Sequence, residues 1–126
     1  MNFEFTEEQL MIQKAARDFA NDVLKPGVIE RDENQSFPQE LVHQMGELGF
    51  LGMMVSPEYG GSGMDTISYV LLMEEISKVD ASASVMISVN NSLVCYGLES
   101  YGTEEQKQKC LIPLAQGKPN RCILSF

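Results

Sequence analysis

Tryptophan is absent from this 126-residue sequence and histidine occurs once, at position 43. Chemistry built on imidazole, whether a nucleophile–base pair or a multi-histidine metal site, has a single residue to draw on. Cysteine is almost as scarce. Cys95, Cys110 and Cys122 lie 15 and 12 residues apart and form no Cys-x-x-Cys pair. That pattern suggests neither a metal site nor a disulfide framework, and a reducing, cytoplasmic setting fits it. Positive charge is in short supply too. Nine Lys and Arg face eighteen Asp and Glu, a formal net charge of −9, the wrong sign for binding phosphate backbones, so nucleic acid is not expected as a partner. Long apolar runs are missing: the stretch from Val85 to Val89 is interrupted by Ser88 and falls far short of the ~20 residues a membrane span needs. The opening Met1-Asn2-Phe3-Glu4-Phe5 carries an acid where an export signal carries basic residues, so none is expected. No low-complexity tract or internal repeat stands out. What remains is 44% hydrophobic and 21% charged, enough apolar material for one compact soluble domain.

The periodicity is helical. Thr6-Glu7-Glu8-Gln9 has the capping-box arrangement, with Phe5 and Leu10 spaced as a hydrophobic staple. Behind it Ile12, Ala15, Ala16, Phe19, Ala20 and Val23 recur every three or four residues until Lys25-Pro26-Gly27, after which helix can resume over 28–32. A second helix is expected near Phe37-Pro38, with Leu41, Val42, Met45 and Leu48 inward and Gly49 ending it. The run from Phe50 to Val55 reads as a packed connector, and Ser56-Pro57-Glu58-Tyr59-Gly60-Gly61-Ser62-Gly63 as a structured loop. Asp65 or Thr66 caps a third helix reaching Val79, with Ile67, Val70, Leu71 and Ile76 inward and Glu74-Glu75 toward water. Asp80 is placed to cap a fourth, over 81–101, which lacks a charged outer stripe until Glu99 and is therefore expected to be covered on more than one side. Thr103-Glu104-Glu105-Gln106 repeats the capping box and opens a last helix to about Ala115, whose final turn Pro113 should distort. The fold class expected is all-α, an antiparallel helical bundle of about five helices.

Few residues promise chemistry. His43 sits mid-helix between Val42 and Gln44 with no nucleophile at hand, and reads as an ordinary half-exposed side chain. The adjacent pairs Glu7-Glu8, Glu74-Glu75 and Glu104-Glu105 diverge by about 100° around a helix and do not suit a shared substrate. Gly60, Gly61 and Gly63 follow no hydrophobic strand and precede no Gly-Lys-Ser/Thr, so the phosphate-loop and dinucleotide patterns both fail. Asn90 and Asn91 are the anomaly: a polar pair inside the most apolar helix must either bond a neighbouring loop or border a cavity. No catalytic, cofactor-binding or metal-binding residue is expected.

Taken together, FTEEQ at 5–9, LGFLGM at 48–53, PEYGGSGMD at 57–65, MEEISKVDAS at 73–82, SVNNSL at 88–93 and YGTEEQKQKCLIPLAQG at 101–117 resemble the amino-terminal helical domain of the acyl-CoA dehydrogenases. The helix carrying SVNNSL, followed by YGTEEQK, is most similar to the short-chain, butyryl-type members. The resemblance implies an FAD enzyme that oxidises a short-chain acyl-CoA thioester to 2-enoyl-CoA: a glutamate base takes the α proton and the β hydride passes to flavin N5. In that family this domain supplies one wall of the acyl pocket. Carried over, the wall residues are Met86, Val89, Asn90 and Leu93, which i, i+3, i+4 and i+7 spacing puts on one face of an α-helix.

Residues 1–117 correspond to that helical domain. Residues 118–126 resemble the start of the family's β domain, Leu124-Ser125 matching its strand and Phe126 standing where glutamate would follow. The family's flavin segment and catalytic glutamate have no counterpart, so the chain is expected to be a fragment, inactive and without bound FAD by itself. Its apolar faces should drive homo-oligomerisation. In the complete enzyme the expected partners are the thioester and an electron-transfer partner. The alternative from another class is a catalytically dead helical module that binds another protein; an oxidase-type relative is a third.

Overall fold

Helices start where side chains cover their free N–H groups. In the computed structural model, which describes residues 1–118, Thr6 Oγ1 accepts from the Gln9 N–H at 3.2 Å and Gln9 Oε1 accepts from the Thr6 N–H at 3.0 Å. This box opens α1 (Glu7–Phe19), which runs on through a π-wound segment, Ala20–Leu24. Gly27, at φ 80°, turns the chain into the short α2 (Val28–Glu33). Next come α3 (Gln39–Glu47) and two single 3₁₀ turns, Phe50–Gly52 and Pro57–Tyr59. Asp65 Oδ1 accepts from Ser68 N–H at 2.8 Å to cap α4 (Thr66–Ser77). Asp80 Oδ1 accepts from Ala83 N–H at 3.1 Å at the start of α5 (Ala81–Ser88). From there the helix continues as a π segment, Val89–Cys95, into α6 (Tyr96–Tyr101). The second capping box, Thr103 with Gln106, opens α7 (Glu104–Gln106), then a π segment, Lys107–Leu111, and α8 (Ile112–Ala115). No strand occurs among the described residues, so the fold is all-α as expected. Of the expected tail over 118–126, residues 119–126, with Leu124-Ser125, lie outside the described residues.

Proline acts earlier than anticipated. Residues 112–115 are regular α-helix, and the irregular winding falls on the preceding turn. Pro113 removes its own N–H and crowds the carbonyl four residues back. That carbonyl belongs to Lys109, inside the π segment.

The chain divides into two compact units: residues 1–37 with 65–85, and residues 38–64 with 86 onward. In the first, α1 lies on α4. Gln9 in the first turn of α1 donates to Asp65 Oδ2 at the N-cap of α4 (2.8 Å), and Arg17 in the last turn of α1 meets Glu75 in the last turn of α4 (3.1 Å). These two helices therefore run parallel, where the sequence suggested antiparallel neighbours. Short loops favour antiparallel pairs, but α1 and α4 are joined by a long crossover. Glu75 is also corrected: it is buried, not solvated, with its carboxylate accepting from Arg17, Gln13 and Lys78. Arg17 holds it below the usual carboxylate range, which its hydrogen bonds achieve against the opposing effect of burial. On the same helix Leu71 and Ile76 are buried as expected, whereas Ile67 and Val70 stay half-exposed.

The second unit closes around Val55, Tyr59, Cys95, Leu111, Leu114 and Ala115. Backbones approach closely there. A Cβ on Gly46 would strike the Gln116 carbonyl, and one on Gly52 would come 2.8 Å from the Ala115 Cβ. Met45 is buried, but Leu48, expected inward, is half-exposed. The glycine-rich loop is structured as expected: Ser62, Gly63 and Met64 N–H groups donate to the carbonyls of Gly52, Val55 and Met53.

Candidate functional site

The polar pair in the long helix organises this second unit. Asn91 is 3% exposed, and both of its amide N–H groups and its Oδ1 are hydrogen-bonded. Its Oδ1 accepts from Met53 N–H at 2.8 Å, and its Nδ2 donates to Phe50 O at 2.8 Å and Ile87 O at 2.9 Å. Asn90 Nδ2 donates to Leu51 O at 2.7 Å and Leu114 O at 3.1 Å. Of the two readings left open by the sequence, bonding to a neighbouring loop is the one observed. The amides hold the Phe50–Gly52 turn, whose carbonyls a one-turn segment leaves without helical partners.

The four carried-over wall residues do not make one stripe. Asn90 points its amide at two backbone carbonyls, Met86 and Val89 are half-buried, and Leu93 is 67% exposed. The departure from i, i+3, i+4, i+7 geometry has a cause: residues 89–95 are π-wound, so hydrogen bonds close at i+5 and the α-helical spacing no longer applies. Tyr96, also strongly exposed, follows Leu93 along the same helix. The result is exposed Leu93 and Tyr96, with half-buried Met86 and Val89 before them, on a helix tied down by asparagines. The distorted winding itself was not foreseeable from apolar periodicity.

Reactive chemistry is scarce around this face. Cys95 is fully buried and carries a free thiol, and burial, with Glu99 adding to it, pushes that thiol up to about 12. Cys110 is disulfide-bonded; the sequence spacing that argued against a disulfide framework does not reveal the Cα separation on which bridging depends. His43 is exposed beside Glu47, at 3.2 Å. Tyr59 donates to Glu104 at 3.1 Å with Lys107 above its ring, a tie between the loop and the last helix. Among the described residues no cluster of His, Cys, Asp and Glu could hold a metal ion, and no helix is long and apolar enough to cross a membrane.

The first unit contains a separate cleft of ≈610 Å³, lined by Val28, Arg31, Phe37, Val79 and Ser82 among others, and by none of the four wall candidates. Arg31 dominates it. Its Nη2 donates to Asp80 Oδ2 at 2.9 Å and to Leu24 O at 2.7 Å, and its Nη1 to Pro26 O at 3.2 Å. Arg31 Nε is the sole buried side-chain polar atom without a partner among the described residues. A flavin demands several free donors for its pyrophosphate and ring, and a guanidinium already committed to a carboxylate and two carbonyls does not supply them. The described residues do not fit a flavin cradle.

With this geometry in hand, comparison with known proteins is decisive. Residues 6–118 match the family model of the acyl-CoA dehydrogenase N-terminal domain. The chain belongs to the acyl-CoA dehydrogenase family. It is 44% identical over 118 residues to the short-chain-specific acyl-CoA dehydrogenase of Clostridium acetobutylicum, covering 94% of this chain and 31% of that one. A chain in the solved structure of the electron-transferring flavoprotein of Acidaminococcus fermentans superimposes with a TM-score of 0.88 at 46% identity, over 93% of this chain and 31% of that one. A glutaryl-CoA dehydrogenase of Mycobacterium smegmatis, solved in complex with FADH2, gives a TM-score of 0.86 at 34% identity, over 90% and 29%. The chain thus spans about a third of the length of the relatives it matches.

Proposed function

We propose that this chain forms one wall of the acyl pocket of an FAD-dependent acyl-CoA dehydrogenase acting on short-chain thioesters. The observation that carries the reading is the pair of exposed apolar side chains, Leu93 and Tyr96, next to half-buried Met86 and Val89 on a helix fixed by Asn90 and Asn91. An acyl tail needs a dry wall that does not yield, since each admitted or excluded methylene is worth only ~1–3 kcal/mol of discrimination. Short-chain preference is supported by the Clostridium relative's specificity. FAD as cofactor and an electron-transferring flavoprotein as partner are supported by the two solved neighbours. The wall's task is to exclude water and orient the thioester.

The test is a chimera in which residues 1–117 of this chain replace the matching third of the Clostridium enzyme. Expected is a flavin-loaded protein that oxidises butyryl-CoA in preference to octanoyl-CoA. Leu93→Ala should shift that ratio of kcat/KM by about tenfold toward octanoyl-CoA. A loaded chimera indifferent to chain length, or to Leu93→Ala, defeats the proposal. Homo-oligomerisation is part of the same reading, supported by exposed Leu10, Met11, Ile67 and Val70; sedimentation at micromolar concentration showing only monomer refutes it. A cytoplasmic location is proposed with it, supported by the free Cys95 thiol. The disulfide at Cys110 argues the other way, so the thiol count of protein taken from reducing cells decides.

A further inference from the structure

The π segment that displaces Leu93 from the expected stripe is written in side chains. Where α winding gives way to π, carbonyls exchange an N–H partner at i+4 for one at i+5. Two consecutive residues capture such carbonyls: Asn91 Nδ2 donates to Ile87 O at 2.9 Å and Ser92 Oγ donates to Ser88 O at 2.6 Å. Both are i to i−4 bonds made by side chains in place of the backbone. Asn91 does more, because its remaining N–H and its Oδ1 grip Phe50 O and Met53 N–H. One buried amide therefore sets the winding of the helix and ties the 50–53 turn to it.

We propose that Asn91, assisted by Ser92, is a positioning residue that holds the helix in its π register and so determines which way Leu93 and Tyr96 face in the acyl wall. This rests on the wall reading above. Reversion to α winding removes the equivalent of one residue from the turn, and each residue of an α-helix subtends about 100°, so the downstream side chains would swing away from their present direction.

The experiment has two arms. In the 126-residue chain, Asn91→Ala is expected to raise amide hydrogen exchange at least tenfold at Met53 and across 92–96. Ser92→Ala, at an exposed position that leaves packing intact, should raise exchange about threefold across 92–96 alone. Unchanged exchange in both variants overturns the proposal, and Ser92→Ala keeps it testable if Asn91→Ala fails to fold. In the chimera, Asn91→Ala should change the butyryl-to-octanoyl ratio of kcat/KM about tenfold at unchanged flavin content. A ratio that responds to Leu93→Ala but not to Asn91→Ala overturns the positioning role and leaves the wall standing. A ratio that responds to neither overturns the wall, and the positioning role with it.

Discussion

Asp80→Ala should be among the most damaging single substitutions in the first unit, because one carboxylate does two jobs there. Its Oδ1 caps α5 through Ala83 N–H, and its Oδ2 faces the guanidinium of Arg31 at 2.9 Å, with side chains 5% and 12% exposed. Loss of the cap costs about 1 kcal/mol. Loss of the charge partner strands a nearly buried cation, which costs roughly 3–5 kcal/mol in comparable pairs. The lower end applies, since Leu24 O, Pro26 O and the ring of Phe37 still face the guanidinium and the cleft admits water. The sum is about 4 kcal/mol, a large part of the ~5–15 kcal/mol that stabilises a domain. Asp80→Asn keeps the capping oxygen and should cost about 1 kcal/mol less than Asp80→Ala. Combining Asp80→Ala with Arg31→Met removes both charges and should recover about 2 kcal/mol relative to Asp80→Ala alone. Urea denaturation followed by circular dichroism at fixed pH measures all three. Asp80→Ala within about 1 kcal/mol of the parent, or a double variant no more stable than the single one, would refute the reasoning.

Three further outcomes are expected. Arg17 and Lys78 hold the Glu75 carboxyl below its ordinary 4.5, so its contribution is complete above that value and fades as the pH falls below it; Glu75→Gln should lower stability near neutrality by about 1–2 kcal/mol and flatten the acid limb of the stability profile, which acid titration by circular dichroism checks. Cys95, with its thiol raised to about 12 by burial, should resist iodoacetamide in native protein at about pH 8 and react once urea is added, as read by mass spectrometry; rapid native labelling would contradict its burial. Gly46→Ala drives a Cβ onto the Gln116 carbonyl and should cost roughly 1–3 kcal/mol or more, whereas Gly97→Ala, in α6 with nothing within 4 Å of the new Cβ, should stabilise by about 0.5–1 kcal/mol; thermal melts that rank them the other way would show that backbone packing does not decide these sites.

Local signals were read from the sequence well because each is settled within four residues. The boxes at Thr6 and Thr103 and the caps at Asp65 and Asp80 all form as their spacing indicates. Errors began where the outcome depended on residues far along the chain. Glu75 looked solvated because Glu74 beside it is, and only the parallel approach of α1, 58 residues earlier, brings Arg17 to it. Ile67 and Val70 obeyed the helical period and were placed inward, yet an amphipathic pattern identifies an apolar face without saying whether this stretch of chain covers it.

The asparagine pair shows how the two kinds of information meet. Sequence logic stated the problem correctly, since two amides in an apolar helix must find partners, and one of the two solutions it offered is the one observed. It could not foresee that the partners would be the carbonyls of a turn about 40 residues earlier together with a carbonyl of the helix itself. The face drawn for the wall residues met the same limit. A face drawn with α spacing is right only while the winding is α, and Asn91 and Ser92 are the residues that change it. Polar residues inside an apolar helix therefore carry information about its neighbours' direction as well as about their own bonds. In this chain that makes the buried Asn91 the residue on which the orientation of Leu93 depends.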